Sequence, residues 1–192
     1  TGNIRINGNG NQTITGSGSA FTGYLPNIRI GKHPADTLFL AGTITQTGTW
    51  DLDSGVVRAG TSTMCITNTD IYGTQNWNNL IIASGAGSNI AATDTLRVLG
   101  DLTFNTTGSV VALGGGTLHV KGNITMQHTA ANTATQSCTI VINGDTTQTL
   151  TGNGTAGTGM LCHIVIDKDP ADTLYLASTI SVRGNWTYKR GI

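Results

Sequence analysis

The sequence predicts an all-β fold, a parallel β-solenoid built from about three internal repeats, and three observations carry this reading. The chain of 192 residues is self-similar: residues 1–50 align without a gap on residues 137–186, at an offset of 136. Its apolar residues alternate with polar ones at period two, in short runs. Its composition favours strands and turns: 27 glycines, abundant Thr and Asn, and acids that are all aspartate. Glu and Lys are good helix formers suited to exposed helix faces, so their scarcity speaks against a helical surface.

The strands are read in order as 3–7, 11–15, 27–31, 37–41, 43–50, 63–67, 78–83, 94–98, 101–105, 109–113, 117–121, 123–127, 138–143, 147–151, 162–166, 172–177 and 179–186. No run of ten or more residues holds helical periodicity, which excludes a βαβ fold. The repeat shows which positions face inward. Ile4 and Ile6 remain Ile at 140 and 142, and Ile28 and Ile30 remain Ile at 164 and 166. Leu38 and Leu40 return as Leu174 and Leu176. A looser middle copy supplies Leu96. The residue between each such pair varies freely, as in Arg5 against Val141 or Phe39 against Tyr175. Fixed apolar positions two apart mark a strand with one buried face. The copies divide the chain at approximately 1–60, 61–136 and 137–192, within one solenoid domain.

Sandwiches and barrels do not require self-similar strands, and a propeller needs at least four blades of about forty residues. In a parallel coil, equivalent strands of successive turns stack, so Ile lies on Ile and Leu on Leu. Asn7 and Asn143 are candidates for a stacked amide ladder. Gly8, Gly16, Gly144 and Gly152 follow strands where the chain turns, which favours glycine for its access to positive φ. Asp36, Asp94 and Asp172 each precede Thr-Leu at a strand entry and read as carboxylates that cap turns. Trp50 and Trp186 close their copies after a glycine two places earlier. They are either packing residues or ring platforms for a sugar. Trp77 reads as core. Cys138 and Cys162, one coil apart, are able to pair, and Cys65 then remains single.

The pattern Ile-x-Ile-Asn-Gly-x-Gly-x-Gln-Thr-Ile-Thr-Gly from Ile4, then Leu25-Pro26-Asn27-Ile28-Arg29-Ile30, then Thr37-Leu38-Phe39-Leu40, resembles the β-helical repeat region of large secreted bacterial adhesins and surface fibres. The resemblance covers nearly the whole chain, although the middle copy lacks the Gln-Thr-Ile-Thr-Gly strand. It implies a right-handed parallel β-helix displayed outside the cell.

Little in the sequence speaks for chemistry. The net charge is zero with 10% charged residues, so no basic stripe offers itself to nucleic acid. No apolar run approaches the roughly 18 residues of a membrane span. The carboxylate clusters, Asp51-Leu52-Asp53 and Asp167-Lys168-Asp169, read as exposed turns. Neither they nor His33, His119, His128 and His163 show metal-ligand or catalytic spacing. Gly114-Gly115-Gly116 precedes a strand rather than a helix, which excludes a phosphate loop. The Thr-rich run 43–49 breaks at its copy 179–185, against an ice-binding row. Asn-x-Ser/Thr sites at Asn11, Asn105, Asn123, Asn153 and Asn185 bear on function only in a host that glycosylates asparagine.

These readings converge on a non-catalytic structural solenoid of an extracellular filament or adhesin, secreted, without cofactor or metal. Strand-like segments at both termini, with no amphipathic cap, fit either a piece of a longer solenoid or a subunit that stacks head to tail, and end-to-end self-association is the expectation. The alternatives are a stalk segment that binds surface carbohydrate and a polysaccharide-degrading β-helix of the phage-tail kind.

Overall fold

The computed structural model describes residues 2–83, 87–105, 113–129 and 137–192. The described residues form a parallel β-solenoid without a helix. Its strands are β1 (Asn3–Ile6), β2 (Gln12–Thr15), β3 (Asn27–Gly31), β4 (Thr37–Ala41), β5 (Thr43–Ser54), β6 (Val56–Arg58), β7 (Thr63–Tyr72), β8 (Gln75–Trp77) and β9 (Asn79–Ala83). There follow β10 (Ser88–Val98), β11 (Leu102–Asn105), β12 (Leu113–Val120), β13 (Ile124–Met126), β14 (Thr139–Ile142), β15 (Gln148–Thr151), β16 (His163–Asp167), β17 (Leu174–Ala177) and β18 (Trp186–Arg190). Every strand pairing is parallel.

The coil has three faces. The first carries β1, β3 and the second halves of β5 and β7, then the first halves of β10 and β12. The second carries β2, β4 and β6, with β8 lying over β6 without pairing to it, and then the second halves of β10 and β12. It continues through β14, β16 and β18. The third carries the first halves of β5 and β7, then β9, β11, β13, β15 and β17. Long strands turn the corners at bulges, between Thr47 and Gly48 in β5 and between Ile90 and Thr95 in β10. The nine rungs of the second face make eight turns, not about three: each sequence repeat holds several turns. Turn length runs from 16 residues (Met64 to Leu80) to 26 (Gln12 to Leu38).

Ile stacks on Ile at Ile4–Ile28, Ile6–Ile30, Ile140–Ile164 and Ile142–Ile166. These stacks lie within a copy, because the copies fall on different faces. Ile4 is on the first face and its counterpart Ile140 on the second, so the repeat returns one face further round. The inward rows form one continuous apolar core, with Trp50 and Trp77 meeting edge to face at 5.9 Å between ring centroids. At the ends the rows lose their cover. Ile4 (41% exposed) and Leu176 (57%) are inward positions left open, and over the half-buried Leu174 the chain supplies only Ile192, which accepts from Leu174 N and donates to Asp172 O.

Several local readings need correction. Segment 179–186 is not a continuous strand: only Val182 bridges, to Leu161, and β18 begins at Trp186. Its counterpart 43–50 is extended because the next turn, 63–71, pairs with it. Strands β6 and β8 were not anticipated, being only three residues each. Most of the expected strand 109–113 and the boundary at 136 lie outside the described residues. Gly114 to Gly116 lie inside β12, where a Cβ on Gly115 (φ 73°) would stand 1.8 Å from the Ile90 carbonyl oxygen. The expected positive φ is absent at Gly8, Gly16, Gly144 and Gly152. At Gly16 and Gly152 the reason for glycine is space. The missing Cβ of Gly16 and of Gly152 makes room for the carbonyls of Thr43 and Thr179 on the next turn, each 1.8 Å from where it would lie.

Candidate functional site

The corners hold the least expected side chains. Lys168, in a segment read as an exposed turn, is fully buried. Its Nζ donates to Gly144 O, Thr146 O and Gln148 Oε1, all at 2.8 Å. Burial holds this amine below the usual lysine range, partly offset by Asp172. Gln148 completes the corner, accepting from Gly144 N and donating through Nε2 to the carbonyls of Val120 and Gly122 in the turn beneath. The first copy repeats half of this arrangement. Lys32, 2% exposed, donates to Gly8 O and Gln12 Oε1 at 2.7 Å. A lysine inside a corner, 20 residues after a glutamine, thus supplies donors to carbonyls that the turn would otherwise leave unpaired. The two lysines matched in the sequence alignment, but nothing in a local window marks them as buried.

Cys138 and Cys162 form a disulfide between successive turns, with Cα atoms 5.9 Å apart. Cys65 is free and buried, and burial pushes its thiol up.

The lateral faces carry ion pairs rather than carboxylate clusters. Asp51-Leu52-Asp53 lies in β5, not in a turn. Arg29 Nε donates to Asp53 Oδ2 at 2.5 Å and lies 3.6 Å from Asp51. The bond from Arg29 holds Asp53 below the ordinary carboxylate range, whereas burial and the neighbouring Asp53 push Asp51 up. Near the other end, Arg190 donates to Asp167 at 2.7 Å and holds it below the ordinary carboxylate range in the same way. Burial, then Arg97 and Lys121, hold His119 below the usual histidine range. Between β6 and β8 a shallow cavity of about 200 Å³ opens sideways, lined by Val56, Val57, Thr74, Asn76 and Arg97 among others. No group of three or more His, Cys or Asp side chains among the described residues is placed to hold a metal.

The remaining predicted residues separate. Asp94 accepts from Gly73 N at 2.8 Å, a carboxylate capping the turn beneath. At Asp36 and Asp172 the backbone makes the turn, bonding His33 O and Asp169 O. The amide ladder is found at Asn27 and Asn3, not at Asn7 and Asn143; Asn143 meets His119 instead. Trp50 is wholly buried, its Nε1 donating to Gln75, so no sugar can stack on it. Trp186 remains 41% exposed on the last rung.

The open ends expose apolar side chains. At the first turn Ile4, Ile6, Ile14, Leu25, Ile28 and Leu38 line a mouth of about 170 Å³. At the last, Leu176, Trp186, Tyr188 and Ile192 are exposed. No protein-family model, curated protein or solved structure matches the chain.

Proposed function

We propose that the chain is a non-catalytic structural β-solenoid of an extracellular filament or adhesin, joined end to end through its open turns. The observation that carries this is the pair of uncovered ends. Both expose inward-row apolar residues and unpaired strand edges, a surface that favours addition of further strands. Two features support the rest of the reading. The Cys138–Cys162 disulfide suits an oxidising compartment outside the cytosol. The carboxylates Asp53 and Asp167 are held by arginine partners, which suits a scaffold better than a hydrolase.

The test is negative-stain electron microscopy of the purified chain across a concentration series. Thin unbranched fibres that lengthen with concentration are expected. Isolated short rods at every concentration would overturn end-to-end joining.

A further inference from the structure

We propose that the outer side of the first face binds a neutral linear saccharide, laid along the solenoid axis over β1, β3, β5 and β7. The site is lateral and belongs to the single chain, so it stands whether or not the ends join.

A cleft of about 320 Å³ opens over the start of this face, and its outward lining is Asn3, Arg5, Asn27, Arg29, Thr49 and Asp51. Strand pairing sets these side chains in two columns along the axis. Asn3, Asn27, Thr49, Asp70 and Asn89 follow one another in the first column. Arg5, Arg29, Asp51 and Tyr72 follow one another in the second. The columns are two residues apart and therefore share one side of the sheet. The rise of about 4.8 Å between rungs is close to the length of one pyranose ring in an extended chain, so successive rungs meet successive rings alike.

The groups in the columns suit hydroxyls. Asn27 donates through Nδ2 to Asn3 Oδ1 and accepts at Oδ1 from Thr49 N, both at 2.9 Å. Both amides are thus fixed in advance, which lowers the cost of binding. Arg29 gives its Nε to Asp53. Its terminal nitrogens, and the whole Arg5 guanidinium, donate to nothing among the described residues and remain for a ligand. Tyr72 lies over Asp51 and is 45% exposed, which offers a ring face at the far end of the cleft. Two arginines stand against Asp51, Asp53 and Asp70, so the surface is slightly negative and disfavours a polyphosphate or acidic polymer. A peptide strand has no edge to join, because β3, β5 and β7 are each paired on both sides.

The fold does not ask for the charged column. The second copy builds the same rungs as β14, β16 and β18 and keeps the inward Ile residues. It carries Val141, Val165 and Thr187 where the first copy has Arg5, Arg29 and Asp51. The charges are therefore an addition of one copy to a shared scaffold.

That copy supplies the test. Arg5→Val, Arg29→Val and Asp51→Thr together install its residues and should leave the circular dichroism spectrum unchanged. Binding is read by titration calorimetry with β-1,4-linked hexasaccharides of glucose, mannose, xylose and N-acetylglucosamine, and with heparin as the acidic control. At least one neutral hexamer is expected to bind with a Kd below about 1 mM, and the triple variant to weaken it at least tenfold. Tyr72→Ala is expected to weaken the same hexamer about tenfold, and decides alone if the triple variant does not fold. Failure of every neutral hexamer to bind, tighter binding of heparin, or binding that these variants leave intact overturns the site and leaves end-to-end joining untouched.

Discussion

The Lys168 amine lies out of solvent among three oxygen acceptors, and its neighbours are arranged around it. Replacing it with methionine strands those acceptors, at a cost of about 3 kcal/mol. The loss also depends on pH. Burial lowers the folded-state value, so between that value and the ordinary lysine value the unfolded chain binds more protons. Folding stability contributed by this site therefore rises with pH across that interval. Melting temperatures of the wild type and Lys168→Met should differ by an amount that widens as pH is raised from 8 towards 10; a constant difference would remove the coupling. Single residues were partly legible in the sequence. Alternation fixed the inward positions, because the side-chain period of a strand is set by its backbone. Burial of Lys168 was not legible, because its acceptors lie 20 to 24 residues away on the preceding turn.

At the scale of the strand and its corner, close backbone approach governs. The Gly152 site admits no Cβ, since Thr179 O would stand 1.8 Å from it. Gly152→Ala should force the last two turns apart and cost about 3 kcal/mol, read as a lowered urea midpoint. An unchanged midpoint would mean that the corner yields freely. The glycines at these corners were visible as a pattern, but for the wrong reason: positive φ is a property of one residue, whereas contact with the next turn needs the stack. The same limit explains β6, β8 and the segment 179–185. Short runs become strands only where a neighbouring turn pairs with them along their length, and Thr179 to Asn185 forms one isolated bridge, Val182 to Leu161.

For the whole molecule, stability resides in contacts between adjacent turns, as in other solenoids. The Cys138–Cys162 bond ties two turns close to one end across 24 residues of chain. Cys138→Ala with Cys162→Ala should lower stability by about 3 kcal/mol. Trp186 fluorescence should then change at lower denaturant than that of the buried Trp50 and Trp77; simultaneous loss of all three would mean one cooperative unit. The solenoid class was legible because stacking like on like leaves a repeat in the sequence. The turn count and the one-face rotation were not. The period of the sequence, 136 residues, is not a whole number of turns, and only strand pairing reveals where each copy begins on the ramp.

Turn length varies by ten residues while the inward rows stay in register, so the difference is taken up at the corners. Gly18 and Gly157 lie in such corners, and a side chain added at either would meet nothing within 4 Å. These outer loops form a display surface separable from the scaffold. Foreign peptides could be carried at one position per turn, spaced by the roughly 4.8 Å rise between parallel strands, without altering the residues that hold the coil together.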